Sequence, residues 1–155
     1  MTEDENRILN LIRIAFRDVR LGAGVGLRQG NGLDDYADAR TLERCCAQDE
    51  KTDWSAIPVE DLGRYSIALA FFDAEGMRFH LPAYLCADLH GALKTTDIIF
   101  TLVYFEHLGV ARFEKLNAAQ RSAVREFLLL HLNDEFSHAM IERALREFWS
   151  VQAIP

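Results

Sequence analysis

Glu75, Arg78 and His80 lie within six residues of one another, beside Asp73. A carboxylate, a guanidinium and an imidazole so close in sequence could bind an anion and move a proton. The trio is therefore a candidate ligand site. Alternation along Met77-Arg78-Phe79-His80-Leu81 sets Arg78 and His80 on the face away from the apolar side chains. Asp73 and Gly76, however, have turn roles that need no substrate. No Gly-x-Ser-x-Gly elbow accompanies the trio, and Cys86 lacks the local signature of a cysteine nucleophile. Catalysis is accordingly the second reading of this stretch, and no catalytic residue is assigned.

Metal chemistry has five histidines to draw on: His80, His90, His107, His131 and His138. Glu135-Phe-Ser-His138 has the Glu-x-x-His spacing of di-iron helical bundles, which need two such pairs and two further glutamates. Only one pair is present, so no metal is expected. His131 shares an apolar face with Phe127 and Leu128 and reads as a core histidine. Asp88-x-His90 and Glu106-His107 are generic pairs. Cys45 and Cys46 are neighbours, and no C-x-x-C spacing offers a zinc site, so Cys45, Cys46 and Cys86 read as buried free thiols. The glycine run Gly22–Gly32 is a poor phosphate loop, because Leu27 stands where G-x-G-x-x-G needs glycine and the run follows a helix. It reads as a flexible connector, and no cofactor is expected.

Charge is distributed unevenly. Asp34, Asp35, Asp38, Glu43, Asp49, Glu50, Asp53, Glu60 and Asp61 face only Arg40, Arg44 and Lys51 within residues 34–61. That segment carries −6 of the chain's formal −7. Such a field argues against direct nucleic-acid binding, which needs a positive footprint, and suits a basic protein partner. The acidic start Met-Thr-Glu-Asp-Glu-Asn is unlike a secretory leader, and no apolar run is long enough to span a bilayer. A cytoplasmic location is the expectation.

The elements that must position these residues are mostly helical. The 155 residues suit one domain, 1–155, with a single core. Ile8, Leu9, Leu11, Ile12, Ala15, Phe16 and Val19 predict a helix over 3–20, opened by a Thr2–Glu5 capping box. Arg13, Arg17 and Arg20 line its other side as a solvated face. A second helix is predicted over 34–48, a short turn at Trp54 capped by Asp53, and another over Val59–Arg64 after Pro58. Ser66–Phe72 and Met77–Leu81 predict the two strands of a β-hairpin turned at Asp73–Gly76, with Pro82 leading a helix to about Leu89. A helix is favoured over strand for 97–108, with Thr96 as cap and Gly109 as stop. Asn117 with Gln120 opens a helix to about Leu132, and a last helix follows Asn133-Asp134. The fold class expected is thus α+β, predominantly α: helices around one two-stranded hairpin, about 66–72 and 77–81.

Asp53-Trp54-x-x-Ile57-Pro58, then Phe72-Asp73-x-Glu75-Gly76-x-Arg78-Phe79-x-Leu81-Pro82-Ala83-Tyr84, together resemble a bacterial family of small proteins of unknown function. A late L-x-x-x-Q helix start at Leu116–Gln120 belongs to the same resemblance, which spans most of the chain. The resemblance implies neither catalytic residues nor a cofactor.

The leading functional expectation is a non-enzymatic binding protein of the immunity or antitoxin type. Its acidic 34–61 segment would mask a basic surface on a partner, with a nucleic-acid- or nucleotide-targeting toxin as candidate. An enzyme or small-ligand binder using Glu75, Arg78 and His80 is the alternative, and a homo-oligomeric scaffold built on the Phe-rich helices is a third.

Overall fold

A computed structural model describes residues 1–105 and 109–150. Eight α-helices are present among them: α1 Glu3–Ala15, α2 Leu27–Asp34, α3 Ala39–Gln48, α4 Val59–Arg64, α5 Ala74–Leu89, α6 Ile98–Val103, α7 Ala118–Leu130 and α8 His138–Glu147. Short 3₁₀ turns at Trp54–Ala56, Ser66–Ala70 and Ala111–Phe113 connect them, and no strand occurs among the described residues. The α+β expectation is therefore wrong. Residues 66–72 form a 3₁₀ turn and its exit, and residues 77–81 lie inside α5.

Helix α5 is the axis of the molecule. Asp73 is its N-cap, accepting the Gly76 N–H at 2.8 Å. The same chemistry, an aspartate holding the N–H three residues on, also starts a β-turn, which is why the local sequence reads either way. Met77, Phe79, Leu81, Tyr84 and Leu85 are all buried, so α5 has almost no polar face along its middle. A helix apolar all round belongs in a core, and its pattern matches a period of two about as well as 3.6. Pro82 sits inside the helix rather than ending a ladder. Helices α1, α4 and α6 and the 3₁₀ turns at Trp54–Ala56 and Ala111–Phe113 pack around it.

Several helix ends are closed by side chains from elsewhere in the chain. The predicted capping boxes at Thr2–Glu5 and Asn117–Gln120 both form. Helix α1 stops at Ala15, short of the predicted Arg20, because its last carbonyls are taken from outside. Gln120 Nε2 donates to Ala15 O at 3.1 Å, and Trp54 Nε1 donates to Phe16 O at 2.9 Å. Arg112 donates to the carbonyls of Leu69 and Ala70 at 2.6 and 2.8 Å, closing the Ser66–Ala70 turn. Trp149 Nε1 closes α6 at Leu102 O, 2.9 Å away. Orphan helix carbonyls need such partners wherever water is excluded.

The expected glycine connector is largely helix α2. Gly30 lies against the Ala68 side chain and Gly32 against Leu42, where a Cβ would come within 2.7 and 3.0 Å respectively. These glycines permit close packing rather than flexibility. Asp49 supplies the cap that Gly26 lacks, accepting from Arg28 N at 2.7 Å and Gln29 N at 3.1 Å. Asp49→Ala strands both N–H groups at the positive end of α2. A loss of about 1–2 kcal/mol is expected, read as a lower urea midpoint.

The second predicted helix begins at Ala39 rather than 34, after the Asp38 cap. Helix α6 is capped by Asp97, not Thr96. The helix ends at Val103 with Tyr104 as its C-cap, short of the predicted 108, and residues 106–108, with the Glu106-His107 pair, lie outside the described residues. No helix among those described is long and apolar enough to cross a membrane.

Candidate functional site

The trio that sequence proximity suggested does not converge. His80 is 1% exposed, stacked on Phe72 at 4.3 Å between ring centroids and edge-on to Phe79 at 5.0 Å. Its Nδ1 lies 2.7 Å from Gly76 O, so that nitrogen carries the proton and donates. Burial pushes the imidazole pKa down from 6.5 to about 4, although the Gly76 carbonyl and Asp73 both favour the charged ring. His80 is a neutral core residue. Arg78, two positions earlier, points to the other side of α5. Glu75 occupies the first turn of that helix, 3.9 Å from Lys115 Nζ.

Arg78 instead lines an open cleft of about 490 Å³ with Arg17 and Arg20 from the segment after α1 and Asn117 and Gln120 from the start of α7. Asp18 is the acid on that wall. Sequence spacing gave no hint of this grouping, since the three arginines come from two segments about sixty residues apart.

The acidic segment divides into two classes. Asp38 caps α3, Asp53 caps the Trp54 turn, and Asp49 caps α2. Glu50 holds the backbone N–H groups of Thr52 and Asp53 at 3.1 and 3.0 Å. Asp61 lies 3.7 Å from Arg28, whose guanidinium also donates to Tyr65 Oη at 2.9 Å. The Thr41 backbone N–H keeps Asp38 below the ordinary carboxylate range, and those of Thr52 and Asp53 do the same for Glu50. Burial, by contrast, raises Asp49. Asp34, Asp35, Glu43 and Glu60 are exposed and none closes a helix N-terminus, although Asp35, at the C-terminal end of α2, accepts from Asn31 Nδ2 at 3.3 Å. Arg40 and Arg44 flank Glu43 on the outer face of α3, so that face is mixed in sign rather than acidic.

One residue expected inside the 34–48 helix stands outside it. Tyr36, between α2 and α3, is 95% exposed and has φ +54°. It is the one non-glycine residue with positive φ among those described, and it stands among Asp34, Asp35 and Asp38. A bulky L-residue in the left-handed region costs about 1–2 kcal/mol. That conformation closes α2, with Tyr36 N donating to Leu33 O at 3.2 Å and Ala37 N to Gly32 O at 3.0 Å, at a position glycine ordinarily takes.

Other candidates read as structural. Burial pushes the Cys86 thiol up to about 11, opposed by Arg13, so it is protonated and weakly nucleophilic near neutrality. Cys45, Cys46 and Cys86 are all free and half-buried. His131 lies 3.3 Å from Asp88 and 4.7 Å from the Phe127 ring. His138 Nδ1 donates to Leu132 O at 2.6 Å, and its Nε2 lies 3.3 Å from Glu142 Oε1. No group of three His, Cys, Asp or Glu side chains among the described residues is placed to hold a metal ion.

Comparison with known proteins gives one match, a family of unknown function (DUF6714), over residues 4–153. No curated protein and no solved structure matches the chain.

Proposed function

The chain belongs to this family of unknown function, and from its surface chemistry we propose a non-enzymatic binding protein of the immunity or antitoxin type. Its partner is a basic protein surface, with the cleft of a nucleic-acid- or nucleotide-targeting toxin as the candidate. The contact is centred on the α2–α3 turn and extends over the rest of the 34–61 segment.

Tyr36 carries the reading. A helix end that glycine would close more cheaply carries a fully exposed tyrosine instead, which suits a side chain that is presented, and tyrosine is among the residues enriched at interface hot spots. Around it, Asp34, Asp35 and Asp38 supply a negative rim that steers a basic partner and sets specificity. Asp38 keeps its charge in mild acid because its hydrogen bond to Thr41 favours the ionised form.

The two roles separate experimentally. Asp34→Asn with Asp35→Asn is expected to slow association with the basic partner and flatten its salt dependence. Tyr36→Ala should act on dissociation, weakening the complex by about 2 kcal/mol or more. Tyr36→Gly releases the left-handed strain, so the free protein should gain about 1 kcal/mol of stability while losing the partner. Co-purification and surface binding with the product of the neighbouring gene, across a salt series, measure these effects. A complex insensitive to both salt and Tyr36 removes the proposal.

A further inference from the structure

The Arg17–Arg20–Arg78 cleft plays no part in binding a basic partner, and its chemistry is opposite in sign. We propose that it is a site for a small phosphate-bearing anion.

Three guanidinium groups and one carboxylate line the cleft, leaving a net charge of about +2 in a protein whose total is −7. None of the three arginines has a carboxylate within ion-pair distance among the described residues. A second observation is independent of the charge count. Arg78 Nε is shut off from solvent and has no acceptor within reach. A buried N–H without a partner is costly, so nothing inside the fold holds this guanidinium, and a turn of the side chain toward the cleft would bring its N–H groups to the oxygens of a bound anion.

The floor of the cleft is rigid. Gln120 is 4% exposed, with Nε2 tied to Ala15 O at 3.1 Å and Oε1 accepting from Asn117 N at 3.0 Å. Asn117 caps α7, a helix of 13 residues, so the positive end of that dipole lies at the cleft wall. Arginine's planar fork matches the oxygens of a phosphate, and a net +2 matches its dianion. A nucleic-acid strand is a poor fit, because it needs a basic track over many phosphates and the rest of the surface is acidic. Asp18 on the same wall can accept a hydroxyl from the organic part of a phosphomonoester.

The test is calorimetric titration of the full chain with inorganic phosphate, adenosine monophosphate and citrate, at low ionic strength. Phosphate and the monophosphate should each bind saturably, and citrate more weakly than either. Tighter binding of the monophosphate identifies a phosphomonoester site; equal binding identifies a site for the phosphate group alone. Arg20→Gln, on the exposed rim, and Arg78→Gln should each weaken binding about tenfold or more. Arg78→Lys should recover only part, because an ammonium cannot reproduce the fork. Arg7→Gln and the Asp34/Asp35 variant should bind as the parent does. If Arg78→Gln fails to fold, as thermal unfolding will show, Arg20→Gln decides alone. No saturable phosphate binding, citrate binding as tight as phosphate, or parent-like affinity in Arg20→Gln overturns the proposal.

Discussion

Gly76→Ala will destabilise the protein by about 2–3 kcal/mol, against the direction that helix propensity alone dictates. Gly76 lies in the first turn of α5, where alanine is worth about 1 kcal/mol over glycine. The added Cβ, however, would stand 2.5 Å from Val25 O and 2.9 Å from Asp73 Oδ1. The first of these is backbone and cannot rotate away. Moving the 21–25 loop outward breaks the bond from Val25 N to Asp73 Oδ1, now 3.0 Å, which joins that loop to the cap of α5. Overpacking costs about 1–3 kcal/mol, and losing a hydrogen bond to a charged group adds about 1.5–3. Together these exceed the propensity gain. Gly63 is the matching control, since it lies in α4 with nothing near its absent Cβ. Gly63→Ala should be neutral or stabilising by up to about 1 kcal/mol. Urea midpoints of the two variants should move in opposite directions. A Gly76→Ala protein as stable as the parent would mean that the loop is not seated on α5.

The same glycine shows why part of the fold was legible in sequence and part was not. Capping is local chemistry: Thr2 with Glu5, Asp53 before Trp54, and Asn117 with Gln120 each complete their bonds within three residues. Those helix starts were therefore predictable. Asp73-Ala-Glu-Gly76 is local too, but a cap and a turn use the same aspartate bond, and only tertiary packing distinguishes them. Because α5 is buried on every side, its apolar residues alternate convincingly enough to imitate a strand. Gly30 and Gly76 are glycines because of Ala68 and Val25, residues 38 and 51 positions away. No window along the chain contains such a pair. Helix ends were misplaced for a related reason, since Gln120 and Trp54 stop α1 from more than thirty residues away.

Function was legible to a smaller degree. The net charge of 34–61 is a property of the sequence, yet the division of its acids into bonded and exposed carboxylates needs the structure. Tyr36 gives no sequence signal, because backbone strain is not written in residue type. The trio Glu75, Arg78 and His80 was assembled by proximity along the chain. A helix separates what a strand would have aligned, and only Arg78 now faces a cleft.

The histidine removed from that trio should dominate the acid sensitivity of the protein. His80 is neutral in the folded state, with its pKa pushed by burial from 6.5 to about 4. Once unfolded, the imidazole titrates near 6.5, so between those two values the unfolded chain binds the extra proton. Stability must then rise with pH across this window. The contribution is fully present above pH 6.5, falls progressively as pH drops towards 4, and is fully lost below that value. The difference corresponds to about 3 kcal/mol, a substantial share of a small domain's stability. His80→Phe keeps a ring against Phe72 and Phe79 but cannot titrate. It loses the bond to Gly76 O, although that carbonyl still accepts the backbone N–H of residue 80 within α5. The variant is expected to be less stable than the parent at pH 7 and to close most of that gap by pH 4. Carboxylates that titrate in acid, Asp49 raised by burial and Glu50 lowered by its backbone hydrogen bonds among them, are common to both proteins and cancel in the difference. Urea unfolding of the pair at several pH values measures it directly. Two parallel stability curves would show that the His80 ring takes up its proton without leaving the core.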